Sequence, residues 1–417
     1  MKFSNFAKRF SEDSGIVHLM EDLGEAMSGQ SRMLMLGGGN PAHIPEVESL
    51  FLERLRWLTE HPQVLYRIIG NYDSPKGDSR FINMLVGYFK RKYGWKIGPE
   101  NVVLTAGSQN GFFLLFNTLA GEFPDGSSKH ILLPAVPEYI GYSDVGLCDN
   151  LFVAARPLIK IIDEHCFKYH IDFDALRIDE NTGALCVSRP TNPTGNVLSD
   201  EEIHKLHELA LAHEIPLIID NAYGGPFPNI IFTEAGLEWN EQIIFCMSLS
   251  KIGLPAVRTG IIIASEEITD KIAKMNGIIS LALGSIGPAL ALDLIKSGKL
   301  EELSERAIKP YYYAKAQRAR ELFQKELQGV DYYIHRPEGA IFLWLWFPGL
   351  PVTSVELYRR LKDRGVLVLS GHYFFPGFKE DWQHKHECIR VSYAMDDKIV
   401  DEGIKIIADE VKQLLKN

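Results

Sequence analysis

The stretch "SDEEIHKLHELALAHEIPLIID", residues 199–220, joins two kinds of element without a linker. Its first part is an amphipathic helical pattern that opens with Ser199 and Glu202 in capping-box spacing. Its last part, "IPLIID", is a short apolar strand that ends in an acid. A helix leading straight onto a buried strand is one unit of a parallel sheet covered by helices. Between about residues 100 and 265 the same rhythm recurs through the runs "NVVLTAG", "HILLPAV", "LFVAAR", "GALCVSRP", "IIFCMSLS" and "TGIIIAS". The pattern predicts an α/β fold with a mostly parallel, seven-stranded sheet sandwiched by helices.

After about residue 300 the rhythm changes. A long charged helical pattern, "LSERAIKPYYYAKAQRARELFQKEL", contains Pro310 as an expected kink or break. The strands "EGAIFLWLWF", "VLVLSG" and "ECIRVSYA" follow, with a helix around "VELYRRLKDRG" and a final amphipathic helix, and they read as a smaller α+β domain. The expected division is an arm and part of the small domain in residues 1–45, a large domain in 46–305, and the small domain in 306–417. No Gly/Ser linker separates the halves, so a cleft between packed domains is expected.

Composition narrows the function. Hydrophobic residues make up 46% of the 417 and charged residues 24%, ordinary values for a globular protein, and no apolar stretch is long enough to span a bilayer. The start "MKFSNFAKRFSEDSG" lacks the apolar core of a secretory signal. A formal charge of −10 supplies no basic field for nucleic acid. The five cysteines, 148, 166, 186, 246 and 388, form no C-x-x-C pair and read as reduced thiols of a cytoplasmic protein. "HKHEC" would place His384, His386 and Cys388 on one face if extended, but it reads more simply as a mobile loop than as a metal site.

Ligands of open α/β sheets sit beyond the carboxyl ends of the strands, so the polar groups there are the ones to collect. They are Gly107, Ser108 and Gln109 after "VVLT", Asn192 after "LCVSRP", Asp220 and Tyr223 around "LIID", and Ser248, Lys251 and Arg258 in "SLSKIGLPAVRTG". Lys251 supplies an amine that desolvation would make nucleophilic. Ser108, Ser248 and Arg258, with the amides of Gly107 and Ser108 opening a helix, suit a phosphate. Asp220, at a strand end, needs a cation to pair with, and Tyr223 and Asn192 can donate to an oxyanion. An aldehyde, a phosphate, a basic ring nitrogen and a phenolate oxygen would use every group, and pyridoxal 5′-phosphate carries all four.

With these residues in view, the chain resembles the fold-type I aminotransferases that use pyridoxal phosphate. The resemblance runs in order through "LGGGNP", "NYDSPKG", "LTAGSQNG", "PEYIGY", "TNPTG", "DNAY", "SLSKIGLPAVRTG", "EGAIFLWL" and "IRVSYA". It implies that Lys251 binds the cofactor aldehyde and shuttles a proton at the substrate Cα, with Asp220 on the ring nitrogen. It also implies Asn192 and Tyr223 on the phenolic oxygen, Gly107, Ser108, Gln109, Ser248 and Arg258 at the phosphate, and Tyr139 on the ring face. Gln109 stands where many relatives carry lysine or threonine. By the same resemblance Arg390 grips the substrate carboxylate, Gly39 approaches the substrate, and Tyr72 reaches the cofactor of a partner in a homodimer.

The implied reaction is ping-pong transfer of an amino group. A carbon–sulfur β-lyase is the alternative on the same scaffold. A cofactor-sensing regulator would need a DNA-binding module, and about 35 residues precede "LGGGNP". The resemblance also implies that relatives accepting aspartate or glutamate bring in a second arginine from the partner subunit, in the segment after the lysine strand; here that stretch, "MNGIISLALGSIGPALALDLI", residues 275–295, has no lysine or arginine. Small aliphatic amino acids (valine, alanine) are therefore the expected donors, with pyruvate and 3-methyl-2-oxobutanoate as acceptors.

Overall fold

Each of the seven apolar runs forms a strand in the computed structural model, which describes residues 1–11, 15, 17, 20, 21, 24 and 33–416. Their order across the large sheet is Val102–Thr105, Gly260–Ile263, Ile243–Ser248, Leu217–Asp220, Thr182–Ser188 and Ser128–Leu133, with Phe152–Ala154 also paired to Ser128–Leu133. An eighth, two-residue strand, Gly121–Glu122, was too short to show a pattern. The long strands are parallel except Gly260–Ile263, which runs antiparallel to both neighbours. Every residue of Val102–Thr105, Thr182–Ser188, Leu217–Asp220, Ile243–Ser248 and Gly260–Ile263 is buried, which is why these strands read as continuous apolar runs instead of alternating ones.

The capping box forms as the spacing predicts. Ser199 Oγ accepts from the Glu202 amide at 3.2 Å, and the Glu202 carboxylate accepts from the Ser199 amide at 2.8 Å, opening helix Asp200–Ala212. Such a cap contributes about 1 kcal/mol and fixes where the chain turns back to the sheet.

A second sheet of six strands has the order Leu369–Ser370, Cys388–Ser392, Phe342–Trp346, Tyr333–His335, Cys166–His170, Leu158–Asp163. Its last two strands form a hairpin from the middle of the chain that crosses to pair with Tyr333–His335. At the start, Leu34–Met35 pairs parallel with Val366–Leu367, and the Ser392 amide donates to the Leu36 carbonyl at 2.7 Å. These pairings lay "LGGGNP" beside the strand that carries Arg390.

Pro310 does not break its helix. It occupies the first turn of Lys309–Glu326, directly after a π-helical turn over Ser304–Ile308 that continues Lys299–Leu303. The wider turn accommodates the residue that lacks an amide hydrogen. "HKHEC" is likewise neither extended nor an open loop. Gln383–His386 is a 3₁₀ turn with His384 buried, stacked on Trp382 at 4.5 Å and hydrogen-bonded to the Tyr169 hydroxyl. His386 instead faces the His372 ring, 6.2 Å away. Among the described residues no group of three or more His, Cys, Asp or Glu side chains could hold a metal ion, and no helix is long and apolar enough to cross a membrane. The five cysteines are free; all but Cys148 are buried.

Candidate active site

Strand register brings the collected groups together. Thr105, Gly260 and Ser248 are cross-strand neighbours, so the Gly107 turn, Arg258 and Ser248 meet at one edge of the sheet. One strand further, Asp220 lies opposite Cys246 on one side and Ser188 on the other.

Lys251 stands in the 3₁₀ turn Ser250–Ile252 that follows Ile243–Ser248. Its Nζ donates to the Gly39 carbonyl at 2.6 Å and lies 5.2 Å from the centre of the Tyr223 ring. Burial pulls its pKa down to about 8, and the positive fields of Arg390 and Arg258 act the same way against that of Asp220. About a tenth of this amine is therefore neutral at pH 7, several hundred times the share of an ordinary lysine, and neutral is the state a nucleophile requires.

Asp220 is buried, and burial pushes its carboxyl up to about 6. A hydrogen bond from the Tyr142 hydroxyl at 2.8 Å, the Ala222 amide at 3.1 Å and the Lys251 charge pull the other way. Nothing in the sequence marks Tyr142 as a site residue beyond its place at the end of the motif "PEYIGY". Tyr139, in the same turn, sets its ring edge-on to Tyr142 at 5.4 Å.

The anion-binding edge depends on a glycine. Gly107, the N-cap of helix Ser108–Leu119, has φ +85°, and a Cβ there would lie 2.0 Å from Arg258 Nη2. Only glycine leaves room for the guanidinium to lie against the helix start. Arg258, itself left-handed at φ +46°, donates Nη1 to the Pro255 carbonyl at 3.0 Å and approaches Ser250 Oγ at 3.4 Å. Ser248 Oγ donates to Ser250 Oγ at 2.9 Å and accepts from the Ser250 amide at 3.0 Å, so Ser250 joins the set. The Gln109 side chain turns elsewhere, its amide donating to the Gly141 carbonyl at 2.8 Å, and bears on the Tyr139–Tyr142 turn.

Arg390 is the floor on the small-sheet side. It is buried, with Nη1 donating to Asn192 Oδ1 and Nη2 to the Gly37 carbonyl, both at 2.6 Å. Phe342 and Phe374 place their ring centres 3.9 and 5.1 Å from its guanidinium carbon, and burial lowers its pKa to about 10. Arg390 Nε and the Tyr223 hydroxyl are buried without a partner in the chain. A buried, unpartnered phenol beside the Lys251 amine marks a place for a polar ligand. Tyr72 stands apart, 84% exposed on the turn after helix Pro62–Gly70.

Residues 55–407 match the family described as aminotransferase class I and II. The chain belongs to this family. It is 51% identical over 413 residues, 99% of either chain, to the valine–pyruvate aminotransferase of Escherichia coli K12. The crystal structure of the valine-pyruvate aminotransferase of Salmonella typhimurium LT2 superposes with a TM-score of 0.89 at 49% identity, covering 97% of this chain and all of the other. The aspartate aminotransferase of Thermus thermophilus, bound to maleate, shares the fold at a TM-score of 0.78 and 18% identity, over 98% of this chain and all of that one. This aminotransferase depends on pyridoxal 5′-phosphate, and its residues fit that group. The Gly107–Arg258 cradle suits the phosphate, the unpartnered Tyr223 hydroxyl suits an oxyanion, and buried Asp220 suits a cationic ring nitrogen.

Proposed function

We propose that this aminotransferase passes amino groups between small aliphatic L-amino acids, valine and alanine, and the 2-oxoacids pyruvate and 3-methyl-2-oxobutanoate, by a ping-pong mechanism. The observation that carries the reading is identity across the whole length to an enzyme named for valine and pyruvate. The cation-free segment 275–295 supports it independently.

Bound pyridoxal phosphate supplies a carbonyl that holds the amino group and a ring that takes up electrons when the Cα proton leaves. Arg258, the Gly107 and Ser108 amides, Ser248 and Ser250 hold its phosphate, and Gln109 contributes through its backbone. Tyr223 and the Asn192 amide donate to the phenolic oxygen, Asp220 keeps the ring nitrogen protonated, and Tyr139 covers the ring face. Lys251 would hold the cofactor at its carbonyl carbon and, once the substrate amine displaces it, would take the Cα proton and return it. Arg390 grips the substrate α-carboxylate with its planar fork, and Gly39, whose carbonyl already holds Lys251, lines the approach.

The working unit is a homodimer in the cytoplasm. Tyr72 shares one corner of the molecule with Ile278 and Leu281, 85% and 67% exposed, because Asn276 bonds the Pro75 carbonyl at 3.1 Å and Ser285 bonds Asp73 at 2.5 Å. An apolar corner of this kind suits a partner subunit. Free cysteines suit a reducing compartment.

The test compares kcat/KM for valine and aspartate with pyruvate as acceptor. Valine is expected to exceed aspartate by roughly a hundredfold, since an unpaired carboxylate against an apolar wall costs several kcal/mol. The products should be the matching 2-oxoacid and alanine, without free ammonia. Aspartate equal to valine, or ammonia as a product, contradicts the reading.

A further inference from the structure

Glu138 belongs to none of the groups that meet at the pocket, yet it touches the supports of three of them. It lies in the turn between Pro137 and Tyr139, with its side chain buried. The Ser188 amide donates to its Oε1 at 2.8 Å, and the Ser188 hydroxyl pairs with its Oε2. Ser188 is the cross-strand neighbour of Asp220. The Glu138 amide in turn donates to the Phe374 carbonyl at 2.8 Å. The Phe374 ring backs the Arg390 guanidinium at 5.1 Å and meets Trp344 edge-on at 5.7 Å. One residue thus ties the Tyr139 turn to the strand end beside Asp220 and to the segment behind Arg390.

Two carboxyls in one dry region cannot both ionise without large cost. The titratable groups that interact with Glu138 are Asp220 and Cys186 from the neighbouring strands and Tyr142 from its own turn. Burial drives the Cys186 thiol and the Tyr142 phenol well up, so both stay neutral and Asp220 carries the charge. Burial, then the Asp220 field, pushes Glu138 to about 8, against the two bonds from Ser188.

We propose that Glu138 is a positioning residue that acts as a neutral acid, clamping the Tyr139 turn to the Asp220 strand and to the Phe374 segment so that the cofactor face and the carboxylate grip keep a fixed relation. As an acid it accepts from the Ser188 amide on Oε1 and carries its proton on Oε2, beside the Ser188 hydroxyl. Glutamine has the same one-acceptor, one-donor pattern, and alanine has neither. The inference rests on the reading of the pocket proposed above, but its first test does not require activity.

Below the ordinary carboxyl value of 4.5 the folded and unfolded chains both hold this proton; as pH rises to about 8, only the folded chain keeps it. Wild-type stability therefore falls through that window by an amount that Glu138→Gln removes. Thermal unfolding of the cofactor-free proteins should show Glu138→Gln gaining on wild type from pH 4.5 to about 8, with the gap constant above that. In the holoenzyme, Glu138→Ala should raise KM for valine and lower kcat/KM by about tenfold or more, and Glu138→Gln should restore both. A pH-independent stability gap, or a Gln variant as impaired as Ala, overturns the proposal. If the Ala variant does not fold, the Gln stability profile alone decides. A wild-type holoenzyme that fails to transaminate contradicts the proposed function and leaves the stability test standing.

Discussion

Asp220 and Arg258 both act on Lys251, yet the chain supports them in opposite ways. Asp220 sits inside the sheet, buried, with Tyr142 and Ala222 already bonded to its two oxygens. Arg258 sits on a turn at the sheet's edge, exposed, beside a glycine whose missing side chain leaves the space it needs. The acid is finished by folding; the anion site is half of an interface whose other half is a ligand. Charge in a dry, fixed environment tunes chemistry, whereas charge on an open turn captures and holds. Substitution at the first should therefore damage turnover, and at the second, affinity.

Of the two, the larger consequence falls at the acid. Asp220→Asn keeps the shape and removes the charge, so kcat should drop by roughly 10²–10³-fold while the cofactor dissociation constant moves less. Loss of cofactor with unchanged turnover would reverse the contrast. Arg390→Lys sharpens it from the substrate side, because an ammonium cannot reproduce a planar fork. KM for valine and for pyruvate should rise together by about 10- to 100-fold, with cofactor affinity nearly unchanged. The smallest effect is expected at the anion edge. Gly107→Ala drives a methyl against Arg258 and strains a backbone at φ +85°. Titration of the apoprotein should show cofactor binding about tenfold weaker, matching a strain of about 1–2 kcal/mol.

The same contrast explains what the sequence made legible. Buried strands announce themselves as apolar runs, and the residues that end them are found by counting, so Lys251, Asp220 and Arg258 are legible in the sequence alone. Residues that act through space gave no such signal. Tyr142 and Glu138 lie in a turn, and only the register of Ser188 against Asp220 shows what they face. The hairpin Leu158–His170 shows no alternation, one strand being largely exposed and the other largely buried, and no periodicity tells which sheet a strand joins. Gln109 sits among phosphate-site neighbours, but its side chain follows the Gly141 carbonyl. His384 read as part of a loop because its burial comes from Trp382 stacking and a bond to distant Tyr169.

This fold holds one amine, Lys251, far easier to deprotonate than an ordinary lysine at the meeting point of acid and anion sites. The direct measurement is the visible absorbance of the bound cofactor as pyridoxal phosphate is added to apoprotein across pH, in wild type and Lys251→Ala. The wild-type band should form at a rate that rises through a midpoint of about 8 instead of the usual 10.5, because only the deprotonated amine attacks. Lys251→Ala should form no such band and lose transamination by about 10³-fold or more. A normal band and rate in the variant would contradict the account.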